Sequence, residues 1–106
     1  MDAKRRGYYD GALNVPEQLC IIHSEVSEAM KAHQANCHSD LSVLGDLPPL
    51  PYIKPIGYDK AFRQGVKNSF EDELADIVLR AASLCGRLGI DLEAHLIAKI
   101  LFNSTR

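Results

Sequence analysis

Four of the chain's five prolines and three of its seven glycines fall between Cys37 and Asn68, in the segment "CHSDLSVLGDLPPLPYIKPIGYDKAFRQGVKN". Proline removes a backbone donor and clashes with the turn before it, so no continuous helix can cross most of this stretch. The flanks read differently. From Pro16 to about Ala35, and again from Ser69 onward, apolar residues recur at spacings of three and four, the signature of one buried helical face. The pattern predicts an all-α fold with long helices on either side of a Pro-rich loop at about 37–68.

The first helix is expected to start near Pro16, since proline suits a first helical turn, with Leu19, Ile22, Val26, Met30 and His33 along its apolar face. The next should follow Ser69, where "SFED" places a serine three residues before an acid, a capping-box-like start. Its apolar face is Phe70, Leu74, Ile77, Val78, Ala81, Leu84, Cys85 and Leu88, and Gly89 is the expected stop. Asp91 then caps a last helix through "LEAHLIAKILFN". Residues 1–14 hold at most a short turn broken by Gly7 and Gly11, and "YDKAFRQGV" is expected as a short helix or turn within the loop. Loops this long inside compact domains are functional or disordered more often than inert.

A chain of 106 residues is one domain by length, residues 1–106. Three helices and a loop make a thin core, so an antiparallel bundle completed by oligomerisation, as a homodimer or homotetramer, is expected. The net charge of −2, with no basic run longer than "KRR" at positions 4–6, argues against a nucleic-acid polymer as partner. No apolar run approaches the ~20 residues of a membrane span, and "MDAKRRGYYDG" lacks the apolar segment of a signal peptide. Cys20, Cys37 and Cys85 form no CxxC pair, which suits a reducing, cytoplasmic setting.

The chemistry-bearing pattern lies beside the apolar stripes. At ~100° per residue, Glu25 and Glu28 project together roughly 130° from the centre of the first helix's apolar face. Glu73 and Asp76 project roughly 120° to the same side on the helix after the loop. Four carboxylates bordering two packed helices repel unless their protonation rises or a cation sits between them. Oxygen ligands at i and i+3 suit hard cations such as Mg²⁺, with Mn²⁺ also accepted. The plain alternative is that all four are solvated surface charges, with Asp76 paired to Arg80 four residues on. His33, Cys37 and His38 lack a fourth metal ligand, and a di-iron carboxylate bundle would want histidines where Glu28 and Asp76 stand. "PPLPYIKP" reads as a rigid connector rather than a polyproline ligand.

The ordered set "EVSEA", then "EDELADIVLRAASLCGRLGIDLEAHLIAKILFNSTR", resembles the MazG-like all-α nucleoside triphosphate pyrophosphohydrolases. Their hallmark is ExxE, ExxD, and a lysine and asparagine four apart, matched here by Glu25 and Glu28, Glu73 and Asp76, and Lys99 and Asn103. The resemblance covers about residues 14–36 and 69–106. It implies Mg²⁺-dependent hydrolysis of a nucleoside triphosphate, standard or modified, to monophosphate and pyrophosphate, a nucleotide-pool clean-up role. It makes Glu25, Glu28, Glu73 and Asp76 both the metal ligands and the catalytic carboxylates. Lys99 and Asn103 would bind substrate. Arg106 is a further candidate phosphate contact, as are Lys54, Lys60, Arg63 and Lys67. Two features depart from the family pattern: 44 residues separate Glu28 from Glu73, longer than usual, and a sequence ending at "FNSTR" suggests a compact or truncated member. The competing expectation is a non-catalytic helical module that binds nucleotide or protein.

Overall fold

A computed structural model of the protein describes residues 13–47 and 53–104. Its elements are α1 (Val15–Gln34), a single 3-10 turn (Leu41–Leu44), α2 (Tyr58–Gly65), α3 (Phe70–Leu88) and α4 (Leu92–Ser104). No strand occurs among the described residues, so the all-helical expectation holds.

Both ends of α1 and α3 and the start of α4 have local chemical causes. Asn14 caps α1 through its Oδ1, which accepts the Glu17 N–H at 3.0 Å, and Pro16 occupies the first turn, where its missing donor costs nothing. Asn36, at φ 54°, closes the other end: its N–H reaches the His33 carbonyl at 3.0 Å and the Cys37 N–H the Ala32 carbonyl at 2.9 Å. Ser69, almost fully buried, accepts the Asp72 N–H at 3.1 Å on its hydroxyl, and Asp72 reaches back to accept the Asn68 N–H at 2.8 Å. Gly89, at φ 71°, ends α3, with the Ile90 N–H on the Cys85 carbonyl at 2.9 Å. Asp91 accepts the Ala94 N–H at 3.0 Å and begins α4 as the sequence indicates.

The chain divides into two compact units, one running up to Ile22 and resuming at Val78, the other His23–Ile77. The second unit contains the Pro-rich stretch, whose described residues, 37–47 and 53–68, hold the 3-10 turn and α2. The Asp40 N–H donates to the Gly65 carbonyl at 2.8 Å, joining the 3-10 turn to the end of α2. A Cβ on Gly65 would stand 2.6 Å from Val43 Cγ2, so the close approach depends on that glycine. Residues 37–39 are fastened to the first turn of α3. The Phe70 N–H donates to the Cys37 carbonyl at 2.8 Å, and Glu71 accepts the Ser39 N–H at 2.8 Å and meets His38 Nδ1 at 2.9 Å. Those bonds hold the Glu71 carboxyl down at about 2, the Ser39 N–H contributing most and His38 next. The Phe70 ring packs against both His33 and His38.

The inner face of this unit is not the apolar stripe the periodicity picks out. Among the described residues, those buried are Ala29, Ala32, Val66, Ser69 and Glu73. Glu25, Ala29 and Ala32 lie within about 60° of one another on α1, as do Ser69, Glu73 and Asp76 across the start of α3. Both faces follow i, i+4, i+7, and both are small or polar. Val26 and Met30, expected in the core, are half exposed, and so is Leu74. Periodicity locates an apolar stripe without stating what covers it. In this unit the alanine face is turned inward and the larger stripe is left outward. Among the described residues, no helix is long and apolar enough to cross a membrane.

Candidate metal centre

α1 and α3 bring three acids to one point. Glu25, Glu73 and Asp76 each offer a carboxylate oxygen, and these three atoms lie within 4.8 Å of one another. Glu73 stands one turn into α3, fixed by the Ser69 cap and by its own N–H on the Ser69 carbonyl at 3.0 Å. Asp76 follows by three residues, so both side chains point the same way. Glu25 faces them from α1, one turn before Ala29, whose small side chain permits close approach.

Their electrostatics are unfavourable without a counter-charge. Glu73 is 7% exposed, and its carboxyl is pushed from 4.5 up to about 7. Burial is the largest cause, followed by a hydrogen bond to Glu25 and then by the charges of Glu25, Asp76 and Asp72. Near neutral pH the Glu73 carboxyl therefore still holds part of its proton, which a cation would displace. The donor set fits a hard divalent ion. Octahedral Mg²⁺ with ligands at roughly 2.0–2.1 Å would set neighbouring oxygens about 3 Å apart, so the trio would draw in by up to about 2 Å to hold one ion. Three oxygen donors on one side also leave positions for water and substrate, the usual habit of this ion.

Of the other expected ligands, Glu28 does not join this group. It lies about 60° around α1 from the inward face, exposed, with Lys31 Nζ 3.3 Å from its Oε2. Lys99 and Asn103, expected at the phosphates, lie on exposed positions of α4 in the other compact unit, where the Lys99 ammonium stands 5.3 Å from the Phe102 ring centre. Arg106 lies outside the described residues. Among the flexible cations of the connecting segment, Lys54 is engaged by Asp59 at 3.0 Å.

Asp72, the acid three residues after Ser69, stands in the α3 cap as the sequence indicates, and it also adds its negative charge to the field on Glu73, which the capping pattern does not reveal. One acid escaped the sequence reading altogether. Glu71 holds residues 38 and 39 against α3, and no spacing rule connects it to a site 32 residues away. Scans of family models, curated proteins and solved structures each found no match to this chain.

Proposed function

We propose that the protein is a divalent-metal-dependent nucleotide pyrophosphohydrolase, cleaving a nucleoside triphosphate between its α and β phosphates to give the monophosphate and pyrophosphate. The observation that carries this reading is the convergence of Glu25, Glu73 and Asp76 from two helices, with Glu73 buried among like charges. A buried acid held from full ionisation beside two half-buried ones is costly as a purely structural feature and useful as a cation site. The ordered motif resemblance supplies the reaction class, and the helical architecture agrees with it.

Bound Mg²⁺ or Mn²⁺ would supply charge neutralisation at the phosphate oxygens and polarisation of the attacking water. The protein's own groups do the positioning. The Ser69 cap and the α1 alanines fix where the three carboxylates stand. Glu73, freed of its proton, and Asp76 present two oxygens from one helix, and Glu25 presents a third from the other. Glu28, outside this trio, is left as the candidate for orienting water or substrate rather than holding the ion. Lys99 and Asn103 are assigned to the phosphates on the resemblance alone.

We also infer that the helices complete their bundle with a second copy of the chain, and that the protein works in the cytoplasm, where its three free thiols stay reduced. The test of the activity is release of pyrophosphate, with Mg²⁺, from a panel of standard and modified nucleoside triphosphates. At least one should be hydrolysed, and Glu73→Gln should abolish the activity while leaving the helical content intact. No release across the panel by protein with verified metal occupancy would refute the assignment.

A further inference from the structure

At the three acids, α1 and α3 have little to hold them together. The residues buried there, Ala29, Ala32, Ser69 and Glu73, offer two methyls, a hydroxyl and a carboxyl. Alanine buries little apolar surface, and the charges of Glu25, Asp76 and Asp72 crowd Glu73. An approach this close needs a fastening elsewhere.

That fastening stands at one end of the helix pair, within the same compact unit. Residues 37–39 leave the end of α1 through the Asn36 turn and are bonded to the first turn of α3. The Phe70 N–H donates to the Cys37 carbonyl at 2.8 Å. The two oxygens of Glu71 divide the next pair of contacts: Oε1 accepts the Ser39 N–H at 2.8 Å, and Oε2 meets His38 Nδ1 at 2.9 Å. The Phe70 ring adds packing, its centre 5.6 Å from that of His33 and 6.0 Å from that of His38. Glu71 is not itself a member of the acid trio. It projects about 160° from Glu73 and about 140° from Asp76 around α3, and its side chain is half exposed.

Rigid helix links the fastening to the acids. From Phe70 to Asp76 is about 9 Å along α3, and from His33 back to Glu25 is about 12 Å along α1. A tilt of about 10° between the helices, pivoting at the clamp, moves Glu25 by about 2 Å relative to α3. That equals the whole distance by which the trio would draw in around one ion. We propose that Glu71 is a positioning residue for the metal centre: by holding Ser39 and His38 it pins the end of α1 on α3 and sets the distance at which Glu25 faces Glu73 and Asp76. This deepens the metal reading above and rests on it. Groups that hold ligands in place from outside the coordination sphere typically change metal affinity by roughly 10–100-fold when removed.

Calorimetric titration of Mn²⁺ into the chelated whole chain tests it in wild type, Glu71→Ala and Glu71→Gln, each with its helical circular dichroism recorded. Glu71→Ala removes both contacts and should weaken Mn²⁺ binding about tenfold. Glu71→Gln removes the charge but keeps an acceptor for Ser39, and should stay within about twofold of wild type. Equal binding by wild type and Glu71→Ala overturns the proposal and leaves the metal centre in place. Glu71→Gln as weak as Glu71→Ala also overturns it, since the acid would then act through its charge. A wild type that binds no Mn²⁺ overturns the metal reading and this proposal together. Should Glu71→Ala fail to fold, wild-type hydrogen exchange decides, because a clamp that favours the ion must in turn be favoured by it. The Ser39 amide should then exchange about tenfold more slowly in saturating Mn²⁺ than in chelator, and an unchanged rate overturns the proposal.

Discussion

Neutralising Glu73 should stabilise the metal-free protein at alkaline pH and do much less at pH 5. In the folded chain the Glu73 carboxyl is raised from 4.5 to about 7, chiefly by burial and then by Glu25. A group raised on folding favours the folded state while protonated. Its contribution is complete below about 4.5, and it is lost as pH climbs through 7. The displacement corresponds to about 3 kcal/mol between those limits, taken as an upper bound. Glutamine carries no charge at either pH and keeps a donor for Glu25. In chelator, Glu73→Gln should therefore exceed wild type by up to about 3 kcal/mol at pH 8, on the order of 10 °C in melting temperature for a domain this size. At pH 5 the difference should shrink to less than about 1 kcal/mol. Saturating Mg²⁺ at pH 8 should raise the wild type by about 2.7 kcal/mol at 100 times its Kd and leave the variant nearly unmoved. Thermal melts followed by circular dichroism read all three conditions. If wild type and variant differ by less than about 1 kcal/mol at both pH values in chelator, the reasoning about a buried, charge-crowded Glu73 is refuted.

Ser69→Ala should lower stability by about 1–2 kcal/mol in urea titration, since the Asp72 N–H loses its acceptor at an almost fully buried position; an unchanged midpoint would remove the cap from the account. Glu71 behaves oppositely to Glu73. Its carboxyl is lowered, so the clamp on Ser39 and His38 is present above about 4.5 and is lost as pH falls toward 2. Carboxyl carbon shifts followed by NMR should show Glu71 titrating near 2, and a midpoint above 4 would mean the clamp does not form in solution.

The boundaries of α1, α3 and α4 were legible in the sequence because each is written in local chemistry: Pro16 in a first turn, Ser69 and Asp91 as caps, Gly89 as a stop. The 3-10 turn and its attachment to α2 were not, because they depend on one close approach at Gly65 and on a hydrogen bond between residues 40 and 65. The carboxylate flank was legible as a direction. Angular projection separates Glu25 from Glu28 by only about 60°, too little to tell which one faces α3. Two alanines settle that. Ala29 and Ala32 are buried, and Glu25 shares their face while Glu28 does not. The same alanines explain why the larger stripe through Val26 and Met30 is left outward: small side chains let helices approach closely, and a periodic pattern does not rank faces by the closeness they allow.

Calorimetric titration of Mn²⁺ into the chelated protein at pH 7.5 addresses the heart of the account, that Glu25, Glu73 and Asp76 hold one divalent ion together. Wild type should bind, each of Glu25→Gln, Glu73→Gln and Asp76→Asn should weaken binding at least tenfold, and Glu28→Gln should change it less than any of these. Absence of binding by wild type at millimolar Mn²⁺, or equal losses at Glu28 and at the three converging acids, would contradict it.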